Sequence, residues 1–120
     1  MQILGIGVDI IENERIKKSL RNKLFIKKIF TPNEILLSKN IKDKTNYFSK
    51  RFAAKEAFSK SIGTGFRKNL NFRDISVIND KLGKPSFIIS EKTNRFIKKY
   101  FKISDFKFFL SISDEKKYSI

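Results

Sequence analysis

The segment RFAAKEAFSK at residues 51–60 constrains the fold most strongly, because read as a helix it is apolar around most of its circumference. At about 100° per residue, Glu56 is surrounded on the helical surface by Phe52, Ala53, Ala57 and Lys60. A helix of this kind has to lie inside the molecule with other elements packed around it. We therefore predict a long central helix that begins near Asn46 and ends at Gly63.

Glu56 is an acid on this apolar helix and is not expected on a solvated face. An ionised carboxylate that is buried without compensation is costly, so Glu56 needs a cation or a metal beside it. Lys60 stands one turn further along, at roughly 5 to 6 Å, and is one such partner. The plain alternative is an ordinary Glu–Lys pair, which stabilises a helix by only ~0.2 to 0.5 kcal/mol. This segment alone leaves both interpretations open.

A second acid, Asp9, lies near the end of residues 3–11, a mainly apolar run that alternates like a strand. Alternation predicts a core face with Leu4, Ile6, Val8 and Ile10, and an opposite face with Gly5, Gly7 and Asp9. Glycine inside a strand often marks close approach by a ligand or another backbone. A turn-forming Asp9 at the strand end is the alternative. Asp9, Glu56 and Lys60 together suit a hard cation such as Mg²⁺, which takes one or two carboxylates and completes its shell with phosphate and water.

Composition bounds the class of protein. A chain of 120 residues, 40% hydrophobic, is long enough for one core, so a single domain over residues 1–120 is expected. The absence of Cys and His excludes a disulfide scaffold and leaves only oxygen ligands for a metal. No run approaches the ~18 apolar residues of a membrane span, and the first run carries Asp9 and lacks a basic leader. We expect a cytoplasmic protein without a membrane partner.

The net charge of +15 fits an RNA-binding module, because small basic chains rich in Phe are typical of that class. However, the 27 Lys and Arg are scattered along the chain, and no aromatic motif of an RNA-recognition fold is present. We therefore expect no nucleic-acid partner. A basic surface equally suits acidic partners, whose encounter rate it raises.

Local signals predict the remaining helices. Asn13 can cap a first helix, whose basic residues Arg15, Lys17, Lys18 and Arg21 are also compatible with plain solvated surface. The sequence TPNE at residues 31–34 is a capping box with proline at the first helical position, so a second helix starts there. The polar residues 38–45 then form a loop before the central helix.

The second half of the chain predicts strands in hairpin order. Gly63 and Gly65 follow the central helix as a C-cap turn, and residues 75–79 and 85–89 form two strands joined by a turn at 80–83. A further helix opens at Ser90 or Glu91 with Phe96, Ile97, Tyr100 and Phe101 inward, and Phe106, Phe108, Leu110 and Ile112 alternate as a final core strand. The predicted class is α+β, a compact domain with a mainly antiparallel sheet packed around the long central helix.

Several segments carry a family resemblance: GIGVDI at 5–10, ERI at 14–16, FTPNEI at 30–35, RFAAKEAFSKSIGTG at 51–65, GKP at 83–85 and LSIS at 110–113. In this order they resemble the holo-(acyl-carrier-protein) synthases, the small 4′-phosphopantetheinyl transferases. The resemblance implies that family's fold and a Mg²⁺-dependent transfer of the 4′-phosphopantetheine group of coenzyme A to a serine of an apo acyl carrier protein. Adenosine 3′,5′-bisphosphate is released, and the reaction supports fatty acid biosynthesis. A homotrimer with active sites at subunit boundaries is also implied.

The resemblance also implies roles for individual residues. Asp9 and Glu56 correspond to Mg²⁺ ligands and Lys60 to a lysine that contacts the pyrophosphate, which makes these three the catalytic residues. The implied coenzyme A contacts are Arg51, Lys60, Gly63, Thr64, Gly65, Lys84 and Pro85. The implied docking residues for the acidic carrier protein are Arg15, Lys17, Lys18 and Arg21. The base that deprotonates the acceptor serine stays open between a metal-bound water or hydroxide and the two carboxylates.

Asp114 departs from the family pattern, in which histidine usually follows the Ser-Ile-Ser of the last strand. An acid beside phosphates repels them by about 1 kcal/mol or more per close contact, even with solvent screening. Either Asp114 points away from the nucleotide or the pocket differs. An inactive relative that only binds carrier protein therefore stands as an alternative, beside the RNA-binding module.

Overall fold

The computed structural model of the protein describes residues 2–67 and 70–120. Its elements are β1 (Ile11–Glu12), α1 (Asn13–Ser19), α2 (Lys23–Ile29), α3 (Pro32–Ser38), α4 (Lys44–Ile62), a 3-10 turn (Phe72–Asp74), β2 (Ile75–Asn79), β3 (Pro85–Ile89), α5 (Glu91–Phe101) and β4 (Tyr118–Ser119). Strand β1 pairs with β4 and β2 with β3, both antiparallel. The predicted α+β class is confirmed. No helix of the described part is long and apolar enough to cross a membrane.

Helix α4 is the central element, as its apolar circumference predicts. It begins at Lys44, where the Asp43 side chain accepts from the Asn46 amide, and it ends at Gly63, whose φ of 87° lies in the left-handed region. Its two halves contribute Phe48 and Phe58 to two separate core clusters. The first cluster contains residues of α1 and α2, and the second contains residues of β2 and α5. Helix α4 therefore joins the two cores.

The local signals with a strong geometric requirement are confirmed. At the start of α3, the Thr31 hydroxyl accepts from the Glu34 amide at 3.2 Å and the Glu34 carboxylate accepts from the Thr31 amide at 2.9 Å. Strands β2 and β3 have the predicted bounds, with Asn79 opposite Pro85 at the mouth of the hairpin. Gly83 in the turn has a φ of 88°, which favours glycine.

Two local predictions are wrong, and one helix was missed. Glu12, not Asn13, is the N-cap of α1, and the Asn13 amide donates instead to Glu115 and Lys116 carbonyls near the C-terminus. A helix between α1 and the capping box, α2, was not predicted. Tyr100 is 52% exposed, because the α5 face that packs inward is centred on Ile97.

The N-terminal segment also differs from its prediction. The expected core face is exposed, with Ile6 88% and Val8 66% accessible. The glycine face packs instead on α4: a Cβ on Gly7 would lie 1.9 Å from the Ala57 carbonyl oxygen, and one on Gly5 would lie 1.9 Å from that of Ser61. The close approach that the glycines predicted is therefore to a helix backbone. Among the described residues only the Ile11–Glu12 part of the segment is paired as a strand.

The segment at residues 106–112 shows the predicted alternation without the predicted strand. Phe106 and Phe108 are half-buried and pack against the second core cluster. The next residue, Phe109, points to the other side and is 85% exposed. No ladder is assigned to this segment within the described residues. A groove of about 920 Å³ lies between residues 106–112 and the N-terminal segment, and apolar residues of α4 form its base.

Candidate functional site

The structure brings Asp9 and Lys60 together, although 50 residues separate them in the chain. The Lys60 ammonium donates to the Asp9 carboxylate at 3.1 Å and to the Val8 carbonyl at 3.1 Å. The Asp9 side chain is 16% exposed and that of Lys60 is 53% exposed. The ammonium thus ties the N-terminal segment to the last turns of α4 and still faces solvent.

Glu56 lies half-buried one turn before Lys60 on α4. Burial raises the pKa of the Glu56 carboxyl, the nearby Asp9 carboxylate raises this pKa further, and Lys60 acts in the opposite direction. Because Lys60 is hydrogen-bonded to Asp9 and lies one helical turn from Glu56, the two carboxylates lie near the same lysine, and the effect of Asp9 on the Glu56 pKa agrees with this. Lys60 is ion-paired with Asp9 rather than with Glu56, so the ordinary helical Glu–Lys pair is not what this site contains.

The donor set of this site fits a magnesium ion. Asp9 and Glu56 supply carboxylate oxygens only, and no cluster of three or more His, Cys, Asp or Glu occurs in the described ranges. Mg²⁺ is usually bound through one or two carboxylates plus substrate phosphates, whereas closed structural metal sites need more protein ligands. The repulsion that raises the Glu56 pKa is also what a cation between the two carboxylates would relieve.

The predicted glycine turn follows Glu56 and Lys60 at the end of α4. Gly63 and Gly65 have φ values of 87° and 63°, and the Thr64 hydroxyl donates to the Gly65 carbonyl at 2.9 Å. A Cβ on either glycine would meet no atom within 4 Å. The backbone conformation therefore accounts for both glycines, and the space beside the turn is open.

Arg51 and Pro85 meet at a second place, a small cleft of about 90 Å³ between α4 and the β2–β3 hairpin. Arg51 is buried: its guanidinium stacks on the Tyr47 ring at 3.6 Å and donates to the Asn79 side chain at 2.9 Å. Burial lowers the pKa of Arg51. Its Nε has no hydrogen-bond partner in the described part of the chain. Lys84 is exposed in the hairpin turn and does not line the cleft.

Asp114 lines the same cleft as Arg51 rather than pointing away from it. The Asp114 carboxylate accepts from the side-chain amide of Asn46 at 2.6 Å and lies 3.9 Å from the Lys50 ammonium. Asn46 and Lys50 were not singled out from the sequence. Their spacing of four residues on α4 is the signal that places them on one face.

The four predicted docking cations lie at the surface, on α1 and directly after it. Arg15, Lys17, Lys18 and Arg21 are all exposed. Buried Ile16 anchors the helix in the first core cluster. Helix α2 adds further exposed cations that were missed together with the helix itself, namely Lys23, Lys27 and Lys28. Both helices therefore carry exposed cations.

Comparison with known proteins gives a consistent result. The chain matches the model of the 4′-phosphopantetheinyl transferase superfamily over residues 5–117. It is 69% identical over 120 residues to a holo-(acyl-carrier-protein) synthase of Pelagibacter ubique, covering 100% of this chain and 94% of that relative. A relative from Vibrio campbellii with the same name is 40% identical over 122 residues, with 100% and 94% covered.

Solved structures agree with the sequence relatives. The holo-(acyl-carrier-protein) synthase of Neisseria meningitidis superimposes with a TM-score of 0.88 at 38% identity, covering 98% of this chain and 94% of the other. That of Bacillus anthracis, in complex with CoA (3′,5′-ADP), gives a TM-score of 0.82 at 40% identity, covering 99% and 92%. The resemblance drawn from the motifs is confirmed, and the chain belongs to the 4′-phosphopantetheinyl transferase superfamily, within the holo-(acyl-carrier-protein) synthases.

Proposed function

We propose that this protein transfers the 4′-phosphopantetheine group of coenzyme A to a serine of an apo acyl carrier protein, in a reaction that requires Mg²⁺ and supports fatty acid biosynthesis. The second product is adenosine 3′,5′-bisphosphate. The observation that carries the proposal is the convergence of Asp9, Glu56 and Lys60 at one place, which needs both the N-terminal segment and α4. The 69% identity to a relative named for this activity supports it.

Asp9 and Glu56 would hold the Mg²⁺, which when bound supplies positive charge to the phosphate under attack and to the departing bisphosphate. Lys60 has three N–H donors, of which two are used on Asp9 and Val8. The remaining donor is available to a phosphate oxygen. The acceptor serine must also lose a proton, and a metal-bound water or hydroxide or one of the two carboxylates would accept it.

Coenzyme A would contact α4 at two places. Arg51 and Gly63 are separated by about 18 Å along the helix axis, from the rise of 1.5 Å per residue. The buried guanidinium of Arg51 is a planar donor fork of the kind that suits phosphate, and Pro85 lines the same cleft. Lys60 and the open turn of Gly63, Thr64 and Gly65 would meet the other end of the ligand, and exposed Lys84 would flank the hairpin.

The basic surface of α1 would dock the carrier protein. Its cations are exposed, while Ile16 holds the helix rigidly on the core. An acidic partner would be attracted over about one Debye length, ~8 to 10 Å at physiological salt. Such attraction raises the association rate and orients the partner more than it raises final affinity.

We further propose that the protein assembles as a homotrimer. The exposed apolar side chains of the N-terminal segment support this, since Ile3, Ile6 and Val8 are 80%, 88% and 66% accessible. Burial of each such side chain in a contact contributes about 1.5 to 3 kcal/mol. Phe109 is 85% exposed across the groove and would be covered by the same contact. The cytoplasmic location and the absence of a nucleic-acid partner stay predictions from the sequence.

The function is tested by incubating the protein with coenzyme A, Mg²⁺ and an apo acyl carrier protein and weighing the carrier by mass spectrometry. We expect the carrier to gain one phosphopantetheine group, and we expect a chelator to prevent the gain. A carrier that stays unmodified although it binds the protein would indicate an inactive relative. An unmodified carrier together with tight RNA binding would favour the RNA-binding module.

Glu56→Gln should keep the fold and lower turnover by a factor on the order of 10² to 10³, because the variant loses a metal contact at a charged transition state. Because the folded-state pKa of Glu56 is raised, its ionised form is a destabilising charge above that pKa, so the metal-free variant should be at least as stable as the parent. In the parent, protons compete with Mg²⁺ as the pH falls through the raised pKa. Steady-state rates at several pH values and Mg²⁺ concentrations, with thermal melts, test both parts; near-normal turnover at limiting Mg²⁺ would refute the assignment.

Reversing Arg15 and Arg21 to Glu should raise KM for the carrier protein and flatten its salt dependence while coenzyme A binding stays nearly unchanged. The matched control reverses Arg95 and Lys99, two exposed cations one turn apart on α5. The control should leave KM for the carrier nearly unchanged. If the α1 variant weakens both substrates equally, α1 is not a docking surface.

Asp114→His should tighten coenzyme A binding, because the cleft that Asp114 lines would lose a repulsive charge and gain a donor. The effect should be largest at low salt and at a pH near or below ~6.5, where the imidazole is substantially charged. Isothermal titration with coenzyme A at two ionic strengths measures it, with Glu91→His as the control because Glu91 is exposed in the first turn of α5. Unchanged dissociation constants at low salt would mean that the nucleotide does not enter this cleft.

The homotrimer predicts that Ile6→Asp dissociates the assembly, because a charge would then be buried between subunits. Leu82→Asp is the matched control, since Leu82 is 96% exposed in the hairpin turn. Sedimentation equilibrium should give three times the chain mass for the parent and the control, and a smaller mass for Ile6→Asp. A parent that sediments as a monomer would contradict the assembly.

A further inference from the structure

A fully buried ion pair between Lys55 and Glu34 takes no part in the proposed chemistry. Both side chains are 0% exposed. The Lys55 ammonium donates to Glu34 Oε1 at 2.5 Å, to the Ile29 carbonyl at 2.8 Å and to the Phe72 carbonyl at 3.2 Å. Each of the three N–H donors of the ammonium therefore has an acceptor of its own.

Glu34 is equally well satisfied. Its Oε1 also accepts from the Thr31 amide at 2.9 Å, and its Oε2 accepts from the Val77 amide at 2.9 Å. The pair consequently joins the middle of α4 to the end of α2, the start of α3, the turn at Phe72 and strand β2.

Stability alone does not account for such a pair. Removing two charges from water costs several kcal/mol per ion, and an apolar pair of similar volume is often as stable or more stable. Burial accordingly lowers the pKa of Lys55, and Glu34 acts against that shift. What the pair does provide is a fixed direction, because three acceptors from three different segments surround one ammonium.

The direction matters because Lys55 directly precedes Glu56 on α4. A carboxylate about 6 Å from the helix axis moves by about 1 Å when the helix turns by about 10°. A misplacement of ~1 Å at a reacting centre can cost on the order of 10² in rate. The Phe52 and Phe72 rings, stacked at 5.8 Å, hold the same turn of α4 against the same neighbouring segment.

We propose that Lys55 and Glu34 are a positioning pair, which sets the rotation of α4 about its axis and so directs the Glu56 carboxylate to the site that it shares with Asp9. This inference rests on the proposed function for its kinetic consequence. Its structural consequence, the metal affinity of the Asp9–Glu56 site, can be measured without turnover.

The test replaces the pair with the uncharged combination Lys55→Met and Glu34→Gln, since either change alone would leave a buried unpaired charge. We expect a folded protein whose kcat falls by about 10- to 100-fold and whose dissociation constant for Mn²⁺ rises by a similar factor. This is the size of effect found when a group that orients a metal ligand is removed. KM for coenzyme A should stay within about threefold, because the coenzyme A contacts are retained. Paramagnetic resonance of free Mn²⁺ gives the dissociation constant.

Ser76→Ala is the matched control, because it removes the 2.8 Å hydrogen bond from Ser76 to Thr31 in the same region, and neither residue belongs to α4. The control should leave kcat and the Mn²⁺ affinity unchanged, whatever its melting temperature. A pair variant that melts earlier but keeps parental kcat and Mn²⁺ affinity would show a merely structural role and overturn the proposal.

If the Met–Gln combination does not fold, Lys55→Gln with Glu34→Gln takes its place, because it retains donors and acceptors without charge, and the same two outcomes decide. The failure of the proposed function is recognised separately. In that case the parent itself transfers nothing, while the Mn²⁺ comparison between parent and variant still supports or overturns the positioning role.

Discussion

The site depends on the close contact between the N-terminal segment and the backbone of α4. Side chains at residues 5 and 7 would collide with helix carbonyl oxygens, because a Cβ at either position would lie 1.9 Å from one of them. Glycine at both positions lets the segment lie directly on the helix and carries Asp9 to the Lys60 ammonium, 3.1 Å away. The second carboxylate, Glu56, belongs to the helix itself. A packing requirement therefore brings the two acids together, with no need for a dedicated loop.

The same arrangement is costly without a ligand. Glu56 is half-buried beside Asp9, and both burial and that neighbour raise its pKa, so the ionised Glu56 carboxylate opposes folding once the pH exceeds that pKa. Lys60 offsets part of this by its ion pair with Asp9, although its own side chain is half exposed and screened by solvent. A bound cation would remove the remaining repulsion. In the proposed function, affinity for a metal and phosphate compensates for this cost. The buried ion pair between Lys55 of α4 and Glu34 of α3 is separate from the exposed Lys60–Asp9 pair.

The sequence predicted the elements whose rules are local. Helix α4, the capping box at Thr31 and the hairpin up to Pro85 follow from patterns within a few residues. Helix α2 was not predicted, because it is only seven residues long and strongly basic. Its N-cap residue, Asn22, is nevertheless of a type that favours a helix start. The partner of Lys60 was predicted from i,i+4 spacing, whereas the partner that folding supplies lies in a distant segment.

Alternation alone also cannot say what covers an apolar face, which is why Ile6 was predicted in the core and is exposed in the single chain.

The measurement that tests the central claim most directly is a double-mutant cycle on Mn²⁺ binding with Asp9→Asn and Glu56→Gln. If both carboxylates hold one ion, the two substitutions should be strongly non-additive, with a coupling of about 1 kcal/mol or more. Additive losses, or an Mn²⁺ affinity that neither substitution changes, would contradict the account.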